Sequence, residues 1–308
     1  MMKKQIIKIL KYVFLILVAA FLVRYFYVNW DDYRNLSISL NWSILVAAVI
    51  FYFIYKISLA SLWHYLTILA GVSISYKKAI TAYLYSILGK YIPGKVFMLL
   101  ARIPPYEEQG YPFSKLAVCF VEENLCTLLG AAFLFLISLF FFPNEIVAEY
   151  KWAAILMIAA FFVVLNPKML NSFLKVLEKV TKKNNLTLDV TYVQMLKVVL
   201  LFVVNWVIVG IGFFLLARSI YPIPVSEFLY ISGVFGLSCI IGILAIFSPS
   251  GIGVREGILL MGLMVVMPEE YAMIIALVSR LWMTVSELVL VGVAFIINQV
   301  NKYMLKRS

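Results

Sequence analysis

Long apolar runs, nearly free of charge, alternate along this chain with short polar stretches. They predict helices over about Leu10–Val28, Trp42–Ala70, Phe113–Phe142, Lys151–Leu165, Tyr192–Ala217, Phe228–Phe247 and Tyr271–Asn298. A perpendicular crossing takes about 20 residues, so the runs from Trp42 and Phe113 are tilted or extend past the bilayer. Two segments break the pattern. Lys78–Ile103 contains Tyr91-Ile92-Pro93-Gly94-Lys95 and runs on to Arg102. Ser248–Met267 contains Ser248-Pro249-Ser250-Gly251-Ile252-Gly253-Val254-Arg255-Glu256-Gly257. Inside a bilayer, broken backbone is tolerated only where protein buries it or water reaches it. The expected fold is therefore an all-α polytopic membrane protein with about seven to eight transmembrane helices, of which one or two are re-entrant or broken. It forms one integral-membrane domain over residues 1–308, with loosely corresponding halves at about 42–165 and 191–298.

Composition agrees with that pattern. The chain is 64% hydrophobic and 13% charged, with a mean hydropathy of +1.01. A soluble domain is nearer 45–50% apolar and about 25% charged. The net charge of +11 serves orientation and anionic lipid headgroups in such a protein, and no nucleic-acid motif accompanies it. Cys119, Cys126 and Cys239 fall in apolar spans without metal spacing and read as small buried hydrophobes. The basic N-terminus resembles a signal peptide but lacks a convincing cleavage site, so it is kept as a first membrane helix.

Lysines set the orientation. Lys3, Lys4, Lys8 and Lys11 precede the first span, Lys168–Lys183 is basic, and Lys302, Lys306 and Arg307 close the chain. The opposite loops carry Asp31, Asp32, Glu145, Glu149, Glu269 and Glu270. The positive-inside rule then puts both termini in the cytoplasm and the protein in the cytoplasmic membrane as a multi-pass chain. An even number of crossings follows, so Ile252–Met267 is expected to cross as a short helix, with a re-entrant path as the alternative. The first break begins and ends beside cytoplasmic-type sequence and reads as a re-entrant hairpin. Lys168–Val180 has the pattern of an amphipathic helix lying in the interface, and a plain basic topology loop explains it equally well.

Nine charges lie at membrane depth: Lys56, Lys95, Arg102, Glu122, Glu123, Arg255, Glu256, Arg280 and Glu287, with Lys90 beside them. An ionised side chain there costs at least about 2.5–3.5 kcal/mol. Mutual neutralisation between helices is the plain explanation for any one of them. It is weaker for the set, because Ser, Asn or Gln would bind helices more cheaply and would not cluster beside Pro-Gly breaks. A helix start in the membrane presents free N–H groups and a partial positive charge, which suits an anion. Here Lys95 follows Pro93-Gly94, and Arg255 follows Pro249, Gly251 and Gly253. The small residues let backbone approach a ligand. The plentiful anions in a bilayer are lipid headgroups, and paired discontinuous helices mark transporters. The expected partner is therefore an anionic or polyprenyl-phosphate membrane lipid.

Enzyme readings find little support in the residues. His64 is the lone histidine and reads as a packed helix residue. There is no zinc pattern, metal cluster, nucleophile elbow or P-loop, so no cofactor is expected and ATP is not the direct driver. Adjacent Glu122 and Glu123 point about 100° apart on a helix and do not form a facing carboxylate pair. A membrane-embedded transferase using Glu123 or Glu256 as base, and a non-catalytic partner of a glycosyltransferase or other lipid-modifying enzyme, are the alternatives.

Pro93, Gly94, Lys95 and Arg102, a Glu in the next helix (Glu122 or Glu123), and the Pro-x-Gly-x-Gly-x-Arg-Glu run of Pro249, Gly251, Gly253, Arg255 and Glu256 resemble the flippase-like transmembrane domain of lysylphosphatidylglycerol synthases. The resemblance covers nearly the whole chain. Ser250 stands where many members carry glycine, and no aminoacyl-transferase domain follows Asn298. It therefore implies lipid translocation or lipid-linked glycan handling, and not lipid aminoacylation. The combined expectation is a lipid flippase, with basic groups and helix starts holding the headgroup phosphate. The acids would pair with those bases when the site is empty, and Glu122, Glu123 or Glu287 are the options for proton coupling.

Overall fold

A computed structural model describes residues 39–91, 96–142, 191–245, 248 and 251–305, with scattered positions between 152 and 175. The expected helix Leu10–Val28, together with Pro93, Gly94, Lys95 and Pro249, lies outside the described residues. So do most residues of Lys151–Leu165 and Lys168–Val180, whose described positions are helical.

Every described element is helical, as the apolar runs require. In chain order they are α1 (Trp42–Leu69), α2 (Tyr76–Ser86), a 3-10 turn (Ile87–Tyr91), α3 (Val96–Arg102), α4 (Pro104–Glu107), α5 (Phe113–Phe141), α6 (Tyr192–Arg218), a 3-10 turn (Val225–Glu227), α7 (Phe228–Leu244), α8 (Val254–Leu263) and α9 (Glu269–Leu305). Among the described residues, five helices are long and apolar enough to cross a membrane: α1, α5, α6, α9, and α7 with the turn before it. The chain is thus an all-α multi-pass membrane protein.

Local signals set the helix ends. Asn41 Oδ1 accepts from Ile44 N at 3.2 Å and starts α1. Thr191 and Gln194 form a capping box at the start of α6. The apolar faces divide by neighbour. On α1, Trp42, Val46, Ile50, Ile54 and Ile57 form an exposed stripe of the kind a lipid-facing helix presents. Ala48, Tyr52, Tyr55, Leu59 and Trp63 turn inward. Helix α6 packs against α1, α5, α7 and α9, and its Phe202, Phe213, Leu216 and Ala217 are fully buried. Hydrophobicity does not drive helices together in lipid, so close approach matters more. Gly233 of α7 shows it: a β-carbon there would sit 2.1 Å from Ser138 Oγ on α5.

Both predicted breaks are present. After α2 the chain tightens into the Ile87–Tyr91 turn, and α3 packs back against both. Gly89 makes the reversal possible, since a β-carbon there would lie 2.7 Å from Met98 N. The doubled-back path is the one the sequence predicts. After α7 the chain leaves helix at Ala245 and resumes at Val254. Gly251 and Gly253 sit at φ +70° and +83°, a region that glycine alone enters freely. Gly251 is also wedged on α7, where a β-carbon would fall 2.7 Å from Gly242 Cα. Helix α8 has 10 residues, about 15 Å at 1.5 Å per residue. That is half the hydrocarbon thickness, so α8 does not cross by itself, and its length fits the re-entrant alternative.

Candidate functional site

Ion pairing starts at the first break. Arg102 closes α3 and is 1% exposed. Its Nε donates to Ser86 Oγ at 2.9 Å, and its Nη1 donates to Glu123 Oε2 on α5. The guanidinium lies 4.1 Å from the Tyr83 ring centre and 4.5 Å from that of Trp63. Such a planar cation is fully used: the carboxylate, a hydroxyl and two aromatic faces take its charge and edges. This cluster fastens the hairpin to α1 and α5.

A second pair fixes the other break. Glu256, in the first turn of α8, turns back so that its Oε2 accepts from Gly253 N at 2.6 Å. A carboxylate there complements the helix start. Its Oε1 accepts from Arg280 Nη1 of α9 at 3.0 Å, and the pair ties α8 to α9. At the far end of α8, Tyr230 Oη donates to Gly262 O at 3.0 Å and ties it to α7.

The third cluster joins elements far apart in sequence. Glu287 of α9 is fully buried. Its Oε1 accepts from Tyr52 Oη at 2.8 Å and pairs with Lys56 Nζ at 2.9 Å. Its Oε2 pairs with Lys90, in the 3-10 turn of the first break. Tyr52 and Lys56 are one turn apart on α1, and Lys56 Nζ lies 5.4 Å and 5.2 Å from the Tyr52 and Tyr55 ring centres. The Tyr52 ring meets Trp282 edge-on at 4.8 Å.

Arg255 stands apart from these pairs. It is 6% exposed and forms no ion pair among the described residues. Its one polar contact there is a long 3.4 Å donation from Nη2 to Ser279 Oγ, and its Nε finds no acceptor. Its guanidinium lies 5.1 Å from the Phe235 ring centre, and Phe235 in turn meets Trp282 at 6.3 Å. Trp282 Nε1 is likewise a buried donor without acceptor. Arg255 is close enough to act electrostatically on both Lys90 and Tyr52. So Lys56 and Lys90 share the carboxylate of Glu287, whereas Arg102 pairs with Glu123 and Arg280 with Glu256.

The expected set of deep charges thus separates. Lys56, Arg255 and Glu287 come together. Arg102 and Glu123 are bound to each other, and so are Arg280 and Glu256. Arg280 and Glu287, seven residues apart on one face, serve different partners. Glu122 is 3% exposed, its Oε1 has no partner, and no base reaches it among the described residues. Sequence reasoning named Lys90 as a flanking charge without placing it in the site. It missed Tyr52, Ser86, Ser279 and Trp282; for Tyr52 the usable signal was a polar aromatic one turn before Lys56. His64 packs edge-on to Tyr76 at 5.6 Å, and all three cysteines are buried and free.

No curated protein matches this chain. The family model described as the lysylphosphatidylglycerol synthase TM region matches residues 8–291. That span takes in both breaks and all the clustered charges, so the chain belongs to the lysylphosphatidylglycerol synthase transmembrane-region family.

Proposed function

We propose that this protein is a lipid translocase of the cytoplasmic membrane, which binds the anionic headgroup of a phospholipid or polyprenyl-phosphate lipid and moves it between leaflets without altering it. The carrying observation is a buried cation with an unmet donor: Arg255 is buried, forms no ion pair among the described residues and leaves its Nε without an acceptor there. An unpaired buried guanidinium costs several kcal/mol, and a headgroup phosphate supplies the missing acceptor for Arg255 Nε. The family match supports a role at membrane lipids. In the empty site Glu287 holds Lys56 and Lys90, and an entering phosphate competes with it for those ammonium groups. The neutral pairs hold the hairpin and α8 at the geometry the site needs.

The test is leaflet exchange in proteoliposomes. Purified protein, reconstituted with fluorescent phosphatidylglycerol or a fluorescent prenyl phosphate, should make the inner-leaflet label accessible to an impermeant quencher. The label's mass should stay unchanged, and Arg255→Ala should slow the exchange at least about tenfold, the smallest loss expected for a charge-assisted hydrogen bond. Covalent turnover of the lipid with a donor substrate would replace this reading by a transferase. Exchange seen only with a glycosyltransferase or other lipid-modifying partner present would replace it by a partner protein.

A further inference from the structure

We infer that Trp282 is a second donor to the bound anion: its indole N–H and the Arg255 guanidinium take the two free oxygens of one headgroup phosphate, held between α8 and α9. The inference rests on the anion-site reading above and adds to it a neutral donor from α9.

The same shortage of acceptors occurs twice at one place. Guanidinium and indole groups can only donate, and buried polar groups without a partner are few in a folded protein. Among the described residues, Arg255 Nε and Trp282 Nε1 are the two buried, partnerless side-chain atoms of that kind. Both residues are more than nine-tenths buried, at 6% and 5% exposed. A buried indole N–H normally finds a partner, and elsewhere in this fold it does. Trp63 Nε1 donates to Tyr106 Oη at 3.0 Å, and Trp206 Nε1 donates to Thr127 O at 2.8 Å. Likewise Arg102 Nε donates to Ser86 Oγ, and Arg280 Nη1 donates to Glu256 Oε1.

Packing brings the two unmet donors together. Both side chains lie against Phe235 of α7, with the guanidinium 5.1 Å and the indole 6.3 Å from its ring centre. Arg255 Nη2 reaches Ser279 Oγ at 3.4 Å. Ser279 lies one turn before Trp282 on α9, so the two share a face. The indole is also fixed from behind. It meets the Tyr52 ring of α1 at 4.8 Å, and a β-carbon on Gly212 of α6 would sit 3.1 Å from Trp282 Cζ2. A donor already held in place binds without the cost of ordering it. A phosphodiester has two free oxygens, one for each donor, whereas an ammonium headgroup offers no acceptor. The pair therefore engages the phosphate of the headgroup.

The experiment removes the indole N–H without changing the ring's shape. Trp282 is replaced by benzothienylalanine, in which sulfur stands in for the N–H, and in a second variant by phenylalanine. Full-length parent, both variants and Arg255→Ala are titrated in detergent with dioleoyl phosphatidylglycerol, and bound lipid is counted by native mass spectrometry. Each protein is also melted without lipid. The benzothienylalanine protein should bind at least about tenfold more weakly, the smallest loss for a hydrogen bond to a charged group. Its lipid-free melting temperature should equal the parent's or exceed it, because an unmet donor has been removed. Weaker binding in Trp282→Phe alone, or a lower melting temperature in the benzothienylalanine protein, would overturn the donor role and make the indole a packing element. Parent-like binding in both Trp282 variants, lost in Arg255→Ala, would also overturn it and leave the anion site standing. Binding unchanged in all three would overturn both. Displacement of the lipid by millimolar inorganic phosphate would overturn the headgroup assignment, because free phosphate would then be the ligand.

Discussion

Replacing Glu287 by glutamine should destabilise this protein and make its stability depend on an added anion. Glutamine keeps the shape and one acceptor for Tyr52 Oη but removes the charge that holds Lys56 and Lys90. Removing one partner of a buried pair costs about 3–5 kcal/mol, since the survivor keeps its desolvation penalty without the attraction. Here two ammonium groups survive, and Arg255 adds to their repulsion. The retained hydrogen bond places the loss near the lower end, about 3 kcal/mol. At about 2–4 °C per kcal/mol for a chain of 150–250 residues, the apparent melting temperature in detergent should fall by about 6 °C or more. Differential scanning fluorimetry reads this directly. Phosphatidic acid should raise the melting temperature of Glu287→Gln more than that of the parent protein, because a bound phosphate replaces the lost carboxylate. A Glu287→Gln protein that melts with the parent, with or without lipid, would refute the reasoning: the three-way contact would then carry no charge-pairing energy.

Arg102→Lys should lose the aromatic sandwich and the bond to Ser86 and cost about 2–3 kcal/mol. The double change Arg102→Met with Glu123→Met should be better tolerated than either single one, and thermal melts of all four proteins measure that coupling. Gly251→Ala should cost about 1–3 kcal/mol or block folding, because φ +70° and the approach to Gly242 both reject a β-carbon. Size-exclusion profiles and melts check it, and an unchanged profile would contradict the wedged second break. Glu256→Gln should slow lipid exchange more than it lowers the melting temperature. It weakens the cap and the tie to Arg280 that hold α8, and with it Arg255, in position; an exchange rate equal to the parent's would remove α8 from the account.

The helices were legible because lipid enforces them: an apolar run of crossing length has no other way to satisfy its backbone. The run Phe113–Phe142 ends within one residue of α5, and Tyr192–Ala217 within one of α6. The start of α9 was read two residues late, at Tyr271, because Glu269 and Glu270 look like loop residues although they suit a helix's first turn. Phe228–Phe247 was read past the end of α7 at Leu244 because hydrophobicity continues through Phe247. The breaks were legible from Pro and Gly. The partners were not. Sequence spacing groups Arg280 with Glu287, and Arg255 with Glu256, since neighbours along a helix are all it can see. The folded chain instead pairs across helices, Arg280 with Glu256 and Glu287 with Lys56 and Lys90, and that exchange leaves Arg255 without a carboxylate among the described residues.

The central claim is that Arg255 holds a lipid anion in the membrane. Native mass spectrometry of protein purified in mild detergent tests it most directly. The account predicts that the parent protein retains a phosphate-bearing lipid, that Arg255→Ala loses it while remaining folded, and that Arg255→Lys retains only part, because an ammonium cannot make the forked contact. Equal lipid retention by the parent and Arg255→Ala, with both proteins folded, would contradict it.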